Sequence, residues 1–125
     1  MLITIPTIEK TWDEETQTVS SKIIEKPVYI DTSFRAHLKW EEQFSRTLGC
    51  DLATYTDRVN SWSKNSDTIK ANLLGVLKLL YCYINADWLP AFIEFASLFD
   101  YEIAEELLTK IITILGEVFK TAGKN

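Results

Sequence analysis

The chain has 125 residues, of which 46% are hydrophobic and 25% are charged, and its formal net charge is −5. These values fit one folded domain and exclude a disordered chain, because 12% of the residues are aromatic. Nucleic-acid binding is not expected, since both halves of the chain are acidic and phosphate neutralisation requires basic surfaces.

The first 30 residues predict a β-hairpin. Ile3 and Ile5 alternate with Thr4, and the segment "QTVSSKIIEKPVYI" is rich in β-branched residues. Pro6 and Pro27 favour edge positions, because proline cannot donate a ladder hydrogen bond. Two strands alone are marginal in water, so this hairpin is predicted to be an arm attached to a larger body.

The rest of the chain predicts helices. The residues "DTS" cap the first of them, and Gly49 and Gly123 are placed to end the first and the last. The periodicity predicts helices at about 33–47, 51–63, 68–85, 88–99 and 101–121. The predicted fold class is therefore mainly α, with an N-terminal β-hairpin arm (1–30) followed by a four- to five-helix bundle (31–125) in one domain.

The third predicted helix is apolar on nearly every side, which places it in the centre of the bundle. Together with the fourth and fifth helices it carries more apolar surface than a small bundle easily covers. One interpretation is a well-filled core. The alternative is an interface with a neighbouring subunit, formed by Trp88, Phe92, Phe95 and Phe99.

The first predicted helix contains the single histidine, His37, and Glu41 one turn later. At 100° per residue both lie inside the apolar arc formed by Phe34, Leu38, Trp40, Phe44 and Leu48, with Lys39 on the opposite side. The pair is interpreted as an acid/base pair in a cleft, as a polar pair at the border of the core, or as a contact with the hairpin or a partner. No motif spaced for catalysis, metal or cofactor binding is present, and none is predicted.

The two cysteines, Cys50 and Cys82, are predicted to be reduced thiols, because no zinc spacing is present. The segment "MLITIPTIEK" lacks the basic and apolar regions of a signal peptide. The most apolar stretch is interrupted by Lys78 and is too short to cross a bilayer. The sequence therefore predicts a cytoplasmic protein that does not bind membranes.

The order of these segments resembles a known family. A hairpin is followed by "DTSFRAHLKWEEQF", "ANLLGVLKLLYCYI", "FIEFASLFDYEIAEELL" and "FKTAGKN". This pattern resembles the short tail assembly chaperones of long-tailed phages and prophages of Gram-positive hosts. The resemblance covers most of the chain.

The resemblance implies a non-enzymatic protein that binds the long helical tape-measure protein and helps recruit tail-tube subunits around it. It also implies self-association, location in the host cytoplasm and absence from the mature virion. The predicted contact residues, drawn from the helical faces, are His37, Trp40, Glu41, Phe44, Trp88, Phe92 and Phe95.

Three alternatives to a chaperone remain open at the level of sequence. The first is a structural tail-completion or connector-type subunit that stays in the particle. The second is a helical protein-interaction domain outside phage tails. The third is a small hydrolase that uses His37 and Glu41.

Overall fold

The fold combines a three-stranded antiparallel sheet with seven α-helices, in a computed structural model that describes residues 2–62 and 64–121. Of the described residues, 55% are helical and 23% lie in strands. The predicted mainly-α bundle is therefore wrong, whereas the predicted N-terminal hairpin is confirmed. The strands are β1 (Leu2–Asp13), β2 (Thr18–Ile30) and β3 (Ile84–Asn85). The helices are α1 (Phe34–Gln43), α2 (Ser45–Leu48), α3 (Leu52–Ser61), α4 (Ser66–Ala71), α5 (Leu73–Tyr83), α6 (Phe92–Ala96) and α7 (Ala104–Thr121), and a 3₁₀ turn (Tyr101–Ile103) precedes α7.

The hairpin is long and regular, with β1 paired to β2 from Leu2↔Tyr29 to Asp13↔Thr18. Its turn is closed locally, since the backbone N–H of Glu15 donates to Oδ1 of Asp13 over 2.9 Å. Gln17 adopts the left-handed region with φ of 51°, which lets the chain reverse direction. Both strands are exposed from Glu9 to Ile23, so this half of the hairpin projects from the body of the protein.

The third strand is the main reason why the predicted fold class fails. Ile84 and Asn85 were predicted to end a helix, but they pair antiparallel with Ile30 and Tyr29 of β2. The backbone N–H of Asp31 also donates to the carbonyl of Tyr83 over 2.7 Å. Pairing with residues 54 and 56 positions earlier in the chain ends α5, and local periodicity carries no information about such a partner.

Several predicted helices are interrupted. The first ends at Gln43 and continues as α2, which closes at Gly49 with φ of 70°, as predicted. The helix predicted at 68–85 divides at Asn72 into α4 and α5. Of the helix predicted at 88–99, only Phe92–Ala96 is α-helical, as α6. Gly123, predicted to end the last helix, lies outside the described residues.

Helix α5 lies in the centre of the fold, as its composition predicts. Eight of its residues are buried, and it packs against α1, α3, α4, α6 and α7. The base of the hairpin joins the same core through Ile5 and Val28, which are fully buried. Two layers therefore share one hydrophobic core, and only the projecting half of the hairpin stands apart from it.

Helix α1 is rotated relative to the predicted orientation. Ala36, Trp40 and Phe44 are buried, whereas Phe34 and Leu38 are 84% and 62% exposed. The predicted packed face of α1 is therefore wrong for Phe34 and Leu38. A helical wheel ranks faces by the size of their apolar residues, but the small Ala36 is fully buried, and Trp40 packs its ring 5.2 Å from that of Tyr55 on α3.

Candidate protein-interaction surface

The seven predicted contact residues do not form one exposed surface. Trp40, Phe44 and Phe95 are buried in the core. The others are half-buried or exposed; these are His37, Glu41, Trp88 and Phe92. Partner contact stays a prediction for all seven, and the three buried residues are held inside the folded monomer.

The structure brings aromatic residues of the first and fourth predicted helices together in an interior cluster. The ring of Phe44, the residue between α1 and α2, lies 5.0 Å from that of Phe92 on α6, centroid to centroid, and at 72° to it. Tyr81 of α5 lies 5.4 Å from Phe92 and 5.1 Å from Phe95. These tilted and edge-on contacts are the geometries that aromatic pairs favour, so the cluster joins α1, α5 and α6.

His37 and Glu41 do not form the predicted polar pair. Glu41 points into solvent, and His37 is half-buried with its ring 6.0 Å from that of Phe34. In the part of the chain that the structure describes, no salt bridge joins the two side chains. Among those same residues, no group of His, Cys, Asp and Glu is arranged to hold a metal ion.

Trp88 follows β3 and hydrogen-bonds to the edge of β2. Its indole Nε1 donates to the carbonyl oxygen of Pro27 over 2.7 Å, and Nζ of Lys26 lies 4.9 Å from the centre of its ring. Trp88 also lines an open groove of about 540 Å³ beside β3, which Leu2 and Tyr29 border. Trp88 thus covers one carbonyl of β2 beyond the point where β3 ends.

Lys39 has a structural role that the sequence did not predict. Its Nζ donates to the carbonyl oxygens of Tyr81 and Ile84 over 2.9 and 3.3 Å, and it lies 4.7 Å from the centre of the Tyr81 ring. A cation at a helix C-terminus satisfies unpaired carbonyls and complements the helix dipole. Burial lowers the pKa of the Lys39 ammonium, and the neighbouring Cys82 opposes this effect.

Both cysteines are free thiols, as predicted. Burial raises the pKa of the Cys82 thiol to about 12, although Lys39 nearby acts in the opposite direction. Cys50 is only partly buried. A buried thiol with a raised pKa is a poor nucleophile, so Cys82 is a packing residue.

This difference between the thiols predicts selective alkylation. At pH 8, iodoacetamide is expected to modify Cys50 in the folded protein and to reach Cys82 only in denaturant. Mass spectrometry of the tryptic peptides measures the modified fraction at each position. The Cys50→Ser variant is the control, since it is expected to take up no label while folded; rapid labelling of that variant contradicts the prediction.

An apolar groove lies between the start of α5 and the 3₁₀ turn. Its volume is about 180 Å³, and the buried side chains of Leu73, Leu77 and Phe99 line it. Leu74 and Tyr101 also line the groove and are 58% and 77% exposed. We call this site the α5 groove. The sequence does not predict this groove, because Leu74 lies on a helix that is apolar on nearly every side and is expected to be covered like its neighbours.

A second apolar surface lies on the projecting half of the hairpin. Trp12 and Val19 are directly opposite each other, and Ile23 is opposite Ile8 on the same face of the two strands. Trp12, Val19 and Ile23 are all substantially exposed. The other face of this segment carries polar residues, including the pair Glu9 and Lys22. The projecting hairpin is thus apolar on one face only.

Comparisons with protein-family models, with curated protein sequences and with solved structures gave no match to this chain. Over residues 2–62 and 64–121, no helix combines the length and the apolar character needed to cross a membrane.

Proposed function

We propose that this protein is a non-enzymatic tail assembly chaperone, which binds the long helical tape-measure protein of a phage or prophage and assists assembly of the tail tube. The resemblance described above suggests this class. The observation that supports it best is the α5 groove, an apolar recess whose outer residues are exposed on the folded monomer.

The dimensions of the α5 groove suit a single aliphatic side chain. Its volume of about 180 Å³ accommodates one leucine or isoleucine, and its floor is formed by side chains that are already desolvated. Burial of one such side chain contributes roughly 1.5–3 kcal/mol. Leu74 and Tyr101 can then cover the neighbouring turns of a bound helix.

An amphipathic helix is the occupant that we propose. Such a helix presents apolar residues every three or four positions, and it binds grooves by inserting one of them while the others cover the rim. A long tape-measure helix exposes many such segments before the tube forms around it. The net charge of −5 keeps the complex soluble and favours basic segments of the partner.

Co-expression tests this proposal. We expect a gene for a very long helical protein immediately downstream, and the protein it encodes should be soluble with this chain and insoluble alone. Leu74→Gln is expected to remove most of the soluble partner, because it places an amide at the rim of the groove. Ile112→Gln is the matched control, since Ile112 is also an exposed aliphatic residue on a helix, and it should retain the activity.

Two results contradict the proposal. One is a partner that stays insoluble with the wild-type chain. The other is an equal loss with Leu74→Gln and Ile112→Gln although both variants are folded by circular dichroism. Mass spectrometry of purified particles separates the chaperone from a structural tail subunit, because a chaperone is absent from the finished tail whereas a connector-type subunit is present.

A further inference from the structure

The outer edge of β2 carries main-chain groups that point away from β1. The carbonyl of Pro27 accepts from Trp88, and the backbone N–H of Asp31 donates to the carbonyl of Tyr83 just before β3, so both residues direct these polar groups to the side opposite β1. Alternate residues of a strand point to the same side. The N–H and C=O groups of Val19, Ser21, Ile23 and Glu25 therefore point outward, and we call these four residues the β2 edge. Pro27 also directs its carbonyl outward, but it has no N–H.

The positions of the prolines and of Leu98 agree with this assignment. On β1 the N–H of Ile8 points away from β2 and donates to the carbonyl of Leu98 over 2.6 Å, so the even-numbered residues of β1 point outward. Pro6 and Pro27 thus both lie at outward positions, where no ladder hydrogen bond is lost.

The β2 edge has no cover in the described part of the chain. β3 pairs only with Tyr29 and Ile30, and Trp88 covers only Pro27. From Val19 to Glu25 no backbone hydrogen bond is recorded on the outer side among residues 2–62 and 64–121. An exposed edge of this kind is a template for pairing with another strand.

We propose that the β2 edge is a self-association site, at which two copies of this chain pair their β2 strands antiparallel around a two-fold axis through Ser21. Pairing extends each two-stranded projection into a four-stranded sheet, β1–β2–β2–β1. This proposal does not depend on the identity of any other partner.

The side chains favour this register. With Ser21 on the axis, Val19 of each copy is directly opposite Ile23 of the other copy. Within each copy Val19 is already opposite Trp12, and Ile23 is opposite Ile8. Two continuous apolar rows therefore cross all four strands. In each row, Trp12 and Val19 of one copy are followed by Ile23 and Ile8 of the other copy. Apolar cross-strand neighbours of this kind stabilise antiparallel sheets.

Between the two apolar rows runs a row with Ser21 of both copies in its centre and Lys10 at each end. The two Lys10 side chains are about 14 Å apart, three strand spacings, so their repulsion is screened. On the opposite face Lys22 meets Ser20 of the other copy. No two like charges are directly opposite in this register.

The neighbouring registers are less favourable. An axis through Lys22 places its ammonium directly opposite the same group in the other copy, which destabilises a sheet. An axis through Ile23 places Val19 opposite Pro27, which lacks an N–H and whose carbonyl already accepts from Trp88. An axis through Ser21, a small uncharged residue, avoids both conflicts and keeps Val19 opposite Ile23.

Analytical ultracentrifugation over a range of concentrations tests the use of this edge. The wild-type chain is expected to form a dimer, and Ser21→Pro should weaken it by at least about tenfold in Kd. That substitution removes one outward N–H and leaves the β1–β2 ladder intact. Lys10→Pro is the matched control, because Lys10 is the cross-strand neighbour of Ser21 and points to the other edge; it should dimerise normally.

Disulfide cross-linking tests the register. In a Cys50→Ser background treated with diamide, Ser21→Cys is expected to cross-link two chains, because the two copies of residue 21 form a hydrogen-bonded pair, in which the Cα atoms are about 5.5 Å apart. Lys22→Cys and Ile23→Cys should cross-link much less.

Three outcomes overturn the proposal. They are a monomer at every concentration, equal weakening by Ser21→Pro and Lys10→Pro, and cross-linking at position 22 or 23 in preference to 21. Circular dichroism confirms in each case that the variant is folded. None of these outcomes bears on the α5 groove, so this proposal and the proposed function succeed or fail separately.

Discussion

Trp40→Ala is expected to lower the free energy of unfolding by about 3–5 kcal/mol, the range for truncating a buried tryptophan. The side chain is fully buried, and its rings lie 5.7 Å from Phe44 and 5.2 Å from Tyr55. Its Nε1 also donates to the carbonyl of Cys50 over 2.9 Å, which holds the loop after α2. The substitution removes the packing and leaves that carbonyl without its donor. Urea denaturation followed by circular dichroism measures the change.

Trp12→Ala is the matched control for Trp40→Ala. Trp12 is 56% exposed on the projecting hairpin, so the same chemical change is expected to alter the stability of the monomer by no more than about 0.5 kcal/mol. The comparison belongs at concentrations that keep the chain monomeric, because Trp12 takes part in the proposed dimer. Similar losses for both variants contradict the assignment of Trp40 to the core.

Gly75→Ala is expected to destabilise the protein by about 1–3 kcal/mol, although alanine is normally the better helix former. A Cβ at Gly75 overlaps the hydroxyl oxygen of Tyr55 and lies 3.1 Å from its Cζ. The Tyr55 ring has little freedom to move away, because Trp40 and Trp62 pack against it. The loss is measured by the shift of the urea midpoint.

Gly116→Ala provides the opposite result on a second helix. A Cβ at Gly116 meets no atom within 4 Å, so alanine should stabilise α7 by about 0.5–1 kcal/mol.

Tyr55→Phe removes the clashing oxygen, and the double variant with Gly75→Ala should recover much of the lost stability. Stabilisation by Gly75→Ala alone contradicts the close approach of α3 and α5.

These two predictions also bear on function. Trp40 and Phe44 were predicted as partner-contact residues, but both are buried, so substitutions there are expected to destabilise the fold and cannot test a contact with a partner. Leu74 and Val19 are exposed, so substitutions there test binding directly. A mutational study of this chain therefore needs a stability measurement for every variant before any loss of binding is interpreted.

Much of the local structure was predictable, because it depends on residues close in the chain. The hairpin follows from the β-branched residues and the two prolines, and Asp51 and Gly49 cap the helices near them. The central position of α5 follows from its composition. The orientation of α1 was not predictable: the wheel favoured Phe34 and Leu38, whereas the folded protein buries Ala36 and Trp40 and packs the Trp40 ring against Tyr55 of α3.

The candidate surfaces divide in the same way. The β-branched residues around Val19 and Ile23 predicted a strand, but the strands β1 and β3 decide which edge of β2 is left open. The α5 groove is formed by Leu74 together with Phe99 and Tyr101, and Leu74 lies more than 20 residues before the other two in the chain. A side chain on an apolar helix is predicted to be buried, and only the positions of the neighbouring elements show that it is exposed.

The sequence by itself determined the hairpin, the free cysteines and the central apolar helix, since each depends on composition or on short-range spacing. The tertiary structure alone decided that Ile84 and Asn85 form a strand, that Lys39 turns inward to the end of α5, and that the exposed apolar residues lie at the α5 groove and on the projecting hairpin. The physical reason is that each of these outcomes depends on a partner distant in the chain, and burial and hydrogen bonding to that partner outweigh local preference.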